Sequence, residues 1–402
     1  MGYTPHILIV GGGATGTGVA RDLAMRGVDV TLVDRDTLAS GATGRMHGLL
    51  HSGARYAVAD PESARACIDE NEILRSIAGH CIEDTGGLFV QHSEDPEDYI
   101  DRKRAACEAC SIPVEELSGE QARAREPALS DDVQRALWVP DGAVDPYRLT
   151  VATATSAQRH GADIWPETTL ANLTTDESGI TAATLLPESA SGQSAMLDVD
   201  YVVNAAGAWA GEVATLAGVD VSMRPSKGAL VETAVETETV INRCRPKTEG
   251  DILVPHGERA VLGATDVPVD DPDDFERDEA EATLLFEELT PVVPALEDAD
   301  PTETFWGVRP LFEQTATAAD PGEITRGFTI IDHEERDDQW GISTVVGGKF
   351  TTHRLMAEAV ADHVCAKFGI DRGCQTTAEK LPGSERTGEL ASFDIDSPIR
   401  AW

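Results

Sequence analysis

The spacing Gly11-x-Gly13-x-x-Gly16 constrains this chain more than any other feature, because it follows a short apolar run and opens a small-residue helix. Residues 6–10 read as a buried strand, 14–26 as a helix stopped by Gly27, and 28–33 as a second strand ending at Asp34. Strand, turn, helix and strand in that order make a crossover unit with parallel strands. The first glycine permits the tight turn, the second lets backbone approach a pyrophosphate, and the third lets helix and strand pack closely. The helix N-terminus offers unpaired N–H groups and the positive end of a dipole to phosphates. Asp34 stands where it can accept hydrogen bonds from an adenosine ribose. The chain therefore opens on a dinucleotide-binding unit, and Gly11, Gly13, Ala14, Thr15, Gly16, Asp34 and Arg35 are its expected contacts.

Two later segments repeat the strand–glycine–helix grammar. Residues 200–204 run into Ala205-Ala206-Gly207-Ala208-Trp209 and a helix that stops near Gly218. Residues 341–346 run into Gly347-Gly348-Lys349-Phe350-Thr351-Thr352 and a helix that stops at Gly369, with Leu355, Met356, Ala359, Val360, His363 and Val364 as its expected buried stripe. Asp60-Pro61 opens another helix, Asp as cap and Pro in the first turn. Residues 223–265 and 303–331 are richer in Val, Thr and turn residues and read as mixed sheet with some helix. No internal repeat is present. The glycine-rich terminal junction separates FAD from NAD: a helix N-terminus there can face the flavin N1/C2 edge and stabilise the charge of the reduced ring, and a nicotinamide enzyme has no need of it. The expected fold class is α/β, with a discontinuous Rossmann-like FAD-binding domain (1–60, 145–220 and 332–370). A second α+β substrate domain with a mixed sheet (61–144 and 221–331) and a C-terminal extension (371–402) complete the expected organisation.

Charge narrows the partners. Seventy-one acidic residues against 32 basic ones leave a formal net charge of −39, which repels nucleic acid and anionic membranes. The basic residues comprise 26 Arg and only six Lys. A dense carboxylate surface with so few lysines suits a salt-saturated cytoplasm, where ions screen self-repulsion. The acidic runs at 270–281, 297–300 and 332–338 then read as solvated surface with no partner. Seven scattered cysteines do not form a disulfide framework. Cys107 and Cys110, one turn apart in a helical segment, have no second pair or His at metal spacing, so they read as structural thiols and no metal is expected. No apolar run approaches the roughly 18–20 residues that span a bilayer. Nor does a charged, cleavable leader precede the first strand, so a cytoplasmic protein without direct membrane insertion is expected.

Gly41-Ala42-Thr43-Gly44-Arg45 running into His47-Gly48-Leu49-Leu50-His51-Ser52-Gly53-Ala54-Arg55-Tyr56, then Val139-Pro140-Asp141-Gly142-Ala143-Val144-Asp145-Pro146 and Asn204-Ala205-Ala206-Gly207, begin a resemblance to the A-subunit family of the anaerobic glycerol-3-phosphate dehydrogenases. It continues through Ile241-Asn242-Arg243-Cys244-Arg245, Asp251-Ile252-Leu253-Val254-Pro255, Gly307-Val308-Arg309-Pro310-Leu311, Ile324-Thr325-Arg326-Gly327 and Gly347-Gly348-Lys349, nearly the whole chain. It implies the fold of D-amino-acid-oxidase-like flavoproteins and oxidation of glycerol 3-phosphate, with electrons passing to a quinone or to a partner protein. Membrane-anchoring and iron–sulfur partner subunits are implied with it, as is a peripheral place on the inner face of the membrane. The chain reaches Trp402 without the family's cysteine-rich C-terminal electron-transfer domain, which leaves the route to an acceptor open. Single-chain aerobic relatives carry a His just after a Lys-Gly pair. Here Lys227-Gly228 is followed by Ala229-Leu230, which favours the multi-subunit type.

Oxidising a secondary alcohol requires removal of its hydroxyl proton and transfer of hydride from the same carbon. His51, titrating near neutral pH and set by the motif, is the expected general base. Arg55, Arg309 and Arg326 are the expected phosphate ligands, since guanidinium matches phosphate in a planar, bidentate way; Arg55 is also carried as a catalytic residue. Lys349 faces either substrate or flavin, and the sequence leaves that choice open. Thr43, Gly44, Ala206, Gly207, Gly347, Gly348, Phe350 and Thr351 complete the expected cofactor contacts. Two other readings share the fold: an FAD-dependent amino-acid or 2-hydroxy-acid oxidase, and a flavin-bearing electron-transfer or assembly subunit.

Overall fold

The structure is a computed structural model that describes residues 4–177, 179–188, 194–246, 249–312 and 327–384. These residues form two compact units. The first holds residues up to Gly44, Pro146–Pro225 and the described residues from Val308 on; the second holds Arg45–Asp145 and Ser226–Gly307. This division and the ranges expected from sequence differ chiefly at 45–60 and 308–331.

The first unit is built on a six-stranded sheet in the order Phe328–Asp332, Ile342–Gly347, Tyr201–Asn204, His6–Val10, Asp29–Val33 and Asp163–Trp165. Every pairing is parallel except the edge strand Phe328–Asp332, which runs antiparallel to Ile342–Gly347. Both faces are covered, which explains the unbroken apolar run at the start of the chain. Ile7 and Ile9 pack with helices Ala14–Met25 and His353–Phe368, whereas Leu8 and Val10 pack toward the meander Thr168–Asp176, Gly179–Pro187 and Ala195–Asp198. Gly11 sits at φ +116°, and a Cβ there would lie 2.4 Å from Ala205 O. A Cβ on Gly16 would lie 1.9 Å from Gly11 O. The first and third glycines are thus demanded by close backbone approach.

The last helix departs from expectation. Met356, Val360 and Val364 are buried as expected, but Ala357, Ala361 and Cys365 are buried beside them, and Leu355, Ala359 and His363 are not. The stripe is turned by one residue because this helix packs on Ala14–Met25 through small side chains: a Cβ on Gly18 would be 2.9 Å from the Ala357 Cβ. Gly369, at φ +65°, ends the helix where expected.

The second unit centres on a nine-stranded mixed sheet. Its path runs Val267–Pro268, Ser226–Thr233, Arg259–Gly263, Ile252–His256, Val240–Arg243, Gly87–His92, Val133–Val139 and Glu115–Ser118, with Pro301–Arg309 also paired to Ser226–Thr233. Val240–Arg243 and Gly87–His92 are parallel, and their neighbours antiparallel. Helix Pro61–Ala78 begins as expected, Asp60 accepting from Ser63 N at 3.0 Å. Cys107 and Cys110 are buried in an apolar cluster, and burial pushes the Cys107 thiol up to about 11. Two acidic residues expected to be solvated are drawn out of water: Glu281 is buried against Lys227 (2.5 Å) and the Thr265 hydroxyl (2.6 Å), and half-buried Asp332 meets Lys367 at 2.8 Å. A carboxylate withdrawn from water needs a cation or donor to offset its lost hydration.

Candidate cofactor and substrate site

A cleft of about 350 Å³ in the first unit is lined by Gly11, Gly13, Ala14, Thr15, Asp34, Arg35, Thr43, Ala206 and Gly207, nine of the residues expected to hold a dinucleotide. Crossover topology brings them together: parallel strands place both turns, 11–13 and 205–207, at the same sheet end. The Thr43 hydroxyl accepts from Ala14 N at 3.0 Å, at the first turn of helix Ala14–Met25. Asp34 accepts from Gly12 N at 2.5 Å and from Asp36 N at 2.8 Å. Burial raises its carboxyl to about 6, against the pull of those two N–H groups. A carboxylate has about four acceptor positions, so room remains for ribose hydroxyls.

Not every expected contact lines the cleft. Gly16 packs on Gly11 O. The Gly44 carbonyl accepts from the Tyr147 hydroxyl (2.9 Å), and a Cβ on Gly44 would lie 2.2 Å from that hydroxyl oxygen. Both glycines shape the turn and leave the lining to their neighbours. Gly347 and Gly348, at φ +79° and +81°, end the strand Ile342–Gly347. A single turn, Phe350–Thr352, then leads into helix His353–Phe368; Lys349 precedes it half-buried, and Thr351 is fully buried. None of the expected contacts Gly347, Gly348, Lys349, Phe350 and Thr351 lines the cleft.

Sequence reasoning missed several lining residues. Trp209 follows directly on the Asn204-Ala205-Ala206-Gly207 motif. Arg35 sits over its ring at 4.6 Å, and its indole Nε1 has no hydrogen-bond partner among the described residues. That orphaned donor, with two glycine turns and an acidic residue in one cleft, fits a nucleotide cofactor. Thr168, Thr169 and Leu170 also line the cleft. They carry no local signal, since a strand beyond a separate helix delivers them.

In the second unit the segment after the Leu49–Leu50 strand carries His51 and Arg55. The Tyr56 hydroxyl is 3.4 Å from His51 Nε2, the two rings are edge-on at 5.2 Å, and Asn71 Nδ2 donates to the His51 carbonyl at 3.1 Å. Arg55 Nη2 meets Asp251 Oδ1 at 2.5 Å, with side chains 11% and 1% exposed. Burial works against the guanidinium charge, but Asp251 holds its pKa above the ordinary value. Asp251 belongs to one of the family motifs, yet sequence reasoning gives it no role; an acid at the head of an apolar strand was the available signal. His256 was missed altogether. It is buried, which lowers its pKa, and its Nε2 lies 2.9 Å from His47 O. Arg309 is half-buried at the end of strand Pro301–Arg309, and the next residue, Pro310, lines the cleft. Arg326 lies outside the described residues. Among the described residues no group of three or more His, Cys, Asp or Glu could hold a metal ion, and no described helix is long and apolar enough to cross a membrane.

Residues 6–363 match the family described as FAD dependent oxidoreductase. The A1 subunit of the anaerobic glycerol-3-phosphate dehydrogenase of Haloferax volcanii is 49% identical over all of this chain and 70% of its own length. The corresponding A subunit from Escherichia coli K12 is 42% identical over 98% of this chain and 73% of its own. Among solved structures, the glycerol-3-phosphate dehydrogenase from Bacillus halodurans complexed with FAD superposes with a TM-score of 0.72 at 20% identity, covering 97% of this chain and 69% of that one, a likeness of fold.

Proposed function

The chain belongs to the FAD-dependent oxidoreductase family, among the A subunits of anaerobic glycerol-3-phosphate dehydrogenases, and on that premise we propose that it oxidises sn-glycerol 3-phosphate to dihydroxyacetone phosphate. The observation that carries this reading is the 49% identity extending over the whole chain. FAD, when bound, supplies the acceptor for the hydride that leaves the substrate's secondary carbon. Gly11, Gly13, Ala14 and Thr15 hold its pyrophosphate at a helix N-terminus, Asp34 accepts from its ribose, and Gly347–Thr351 serve the flavin end. His51 takes the hydroxyl proton; Tyr56 against its ring and Asn71 on its carbonyl limit its freedom. Arg55, Arg309 and Arg326 bind the phosphate, with Lys349 beside substrate or flavin. That the relatives are lettered subunits of a larger enzyme supports work alongside other chains. Iron–sulfur and membrane-anchoring subunits on the inner face of the membrane are our reading of that company, with a quinone or one of those chains receiving the electrons.

The test is anaerobic mixing of the purified protein with glycerol 3-phosphate while the flavin spectrum is followed. Bleaching without any partner supports the reading. Bleaching by D-amino acids or 2-hydroxyglutarate, and not by glycerol 3-phosphate, would replace it with an oxidase of carboxylate substrates.

A further inference from the structure

A chain of polar side chains in the first unit, buried except at its outer end at Asp337, has no part in the chemistry above. Helix His333–Asp337 places its first and last residues one turn apart, and His333 Nδ1 lies 2.6 Å from Asp337 Oδ2. The other ring nitrogen, Nε2, lies 2.8 Å from Thr344 Oγ1, in the middle of strand Ile342–Gly347. Asn204, level with Thr344 on the neighbouring parallel strand, donates from Nδ2 to that hydroxyl (3.2 Å) and to Ala210 O (2.8 Å). Its Oδ1 accepts from Ala206 N at 3.3 Å. His333, Thr344 and Asn204 are fully buried.

The direction of every bond in this chain follows from its end. Arg336 meets Asp337 at 2.8 Å, and the Asp337 carboxyl lies below the ordinary carboxylate range; burial opposes this, and its bonds to Arg336 and His333 outweigh it. An ionised Asp337 can only accept, so His333 carries its proton on Nδ1 and presents a lone pair at Nε2. Thr344 must then donate its one hydroxyl proton to His333, which leaves its oxygen to accept from Asn204. Asn204 is left with a single orientation: amide nitrogen toward Thr344 and Ala210, carbonyl toward Ala206 N. An Asp–His–Thr array can also activate a nucleophile, but Thr344 is sealed in the sheet and lines no described cavity.

What Asn204 grips are the two sides of one turn. Ala205, Ala206, Gly207, Ala208 and Trp209 all line the cleft, and Asn204 holds Ala206 N within them and Ala210 O just beyond them. We infer that Asp337, His333, Thr344 and Asn204 are a positioning relay that pre-forms the 205–209 turn for the adenine-nucleotide cofactor, so that its ordering is not charged against binding. The inference rests on the reading of that cleft as the FAD site.

The test is titration of the full-length, deflavinated chain with FAD, read by flavin fluorescence, for Thr344→Val and Thr344→Ser beside the wild type. Valine keeps the volume and deletes the hydroxyl; serine keeps the hydroxyl and deletes a methyl. The relay requires that Thr344→Val raise the Kd for FAD roughly tenfold or more, the scale of one buried polar group left unpaired, and that Thr344→Ser stay within about threefold of wild type. His333→Gln, which keeps an acceptor at the Nε2 position, should bind more tightly than His333→Ala. If Thr344→Ser weakens binding as much as Thr344→Val, or neither weakens it, the relay is overturned. A wild-type chain that takes up no FAD overturns the reading of the cleft as well. A Thr344→Val chain that fails to fold passes the decision to the His333 pair, whose equal affinities would overturn the relay.

Discussion

At the scale of single residues, the proposed site separates groups that meet substrate from groups that hold them in place. Arg309→Ala and Arg326→Ala should each lower kcat/KM for glycerol 3-phosphate by roughly 10–150-fold, the worth of a charge-assisted hydrogen bond. Free glycerol has no dianion to lose its partner, so its slow turnover should hardly change. Equal losses on both substrates would show that these arginines support the fold or the flavin. His51→Asn should slow flavin reduction roughly 10²–10⁴-fold with FAD affinity unchanged; an unaltered rate at neutral pH removes His51 from the mechanism. Asp34 makes a pH prediction. Its carboxyl, ordinarily 3.8, is raised to about 6 by burial. Between those values the folded chain without FAD holds a proton that the unfolded chain has released, so this group makes its stability fall as pH rises through the interval. A ribose calls for the ionised carboxylate, so FAD affinity should run the other way. The Kd should rise about tenfold per pH unit below about 6, a slope that Asp34→Asn should abolish.

Elements were legible in the sequence where local and tertiary requirements agree. Strand His6–Val10 and the start of helix Ala14–Met25 fall where expected, because glycines at 11 and 16 are needed by the turn and by the strand beneath it. Helix His353–Phe368 begins only after a single tighter turn, Phe350–Thr352, and its stripe is rotated. Hydropathy weights Leu355 over Ala357, yet Ala357 faces Gly18 and only small residues fit there. Gly18→Val should therefore drive the two helices apart at a cost of roughly 1–3 kcal/mol, the range for overpacked cores, seen as a lower melting temperature. An unchanged melt would mean that the helices yield without strain.

For the whole molecule, the net charge of −39 is the strongest statement the composition makes. Self-repulsion on that scale needs screening, and the Debye length falls to about 3 Å at 1 M salt. Unfolding followed against KCl concentration should show stability climbing into the molar range. A chain equally stable at very low and molar salt would sink the high-salt reading, and the Haloferax volcanii relative makes the comparison a natural control. The sequence by itself determined the dinucleotide-binding start, the parallel-sheet class, the mixed second sheet and the family, because each depends on spacing between near neighbours or on motifs kept in order. Only the tertiary structure decided which charges are partnered and which turns are braced. Asp251 reaches Arg55 across 196 residues, and His333 and Thr344 reach Asn204 from the far end of the chain. Such pairs carry no spacing to read: an acid or an amide looks alike in sequence whether water or a buried side chain satisfies it, and only the packed sheet removes the water.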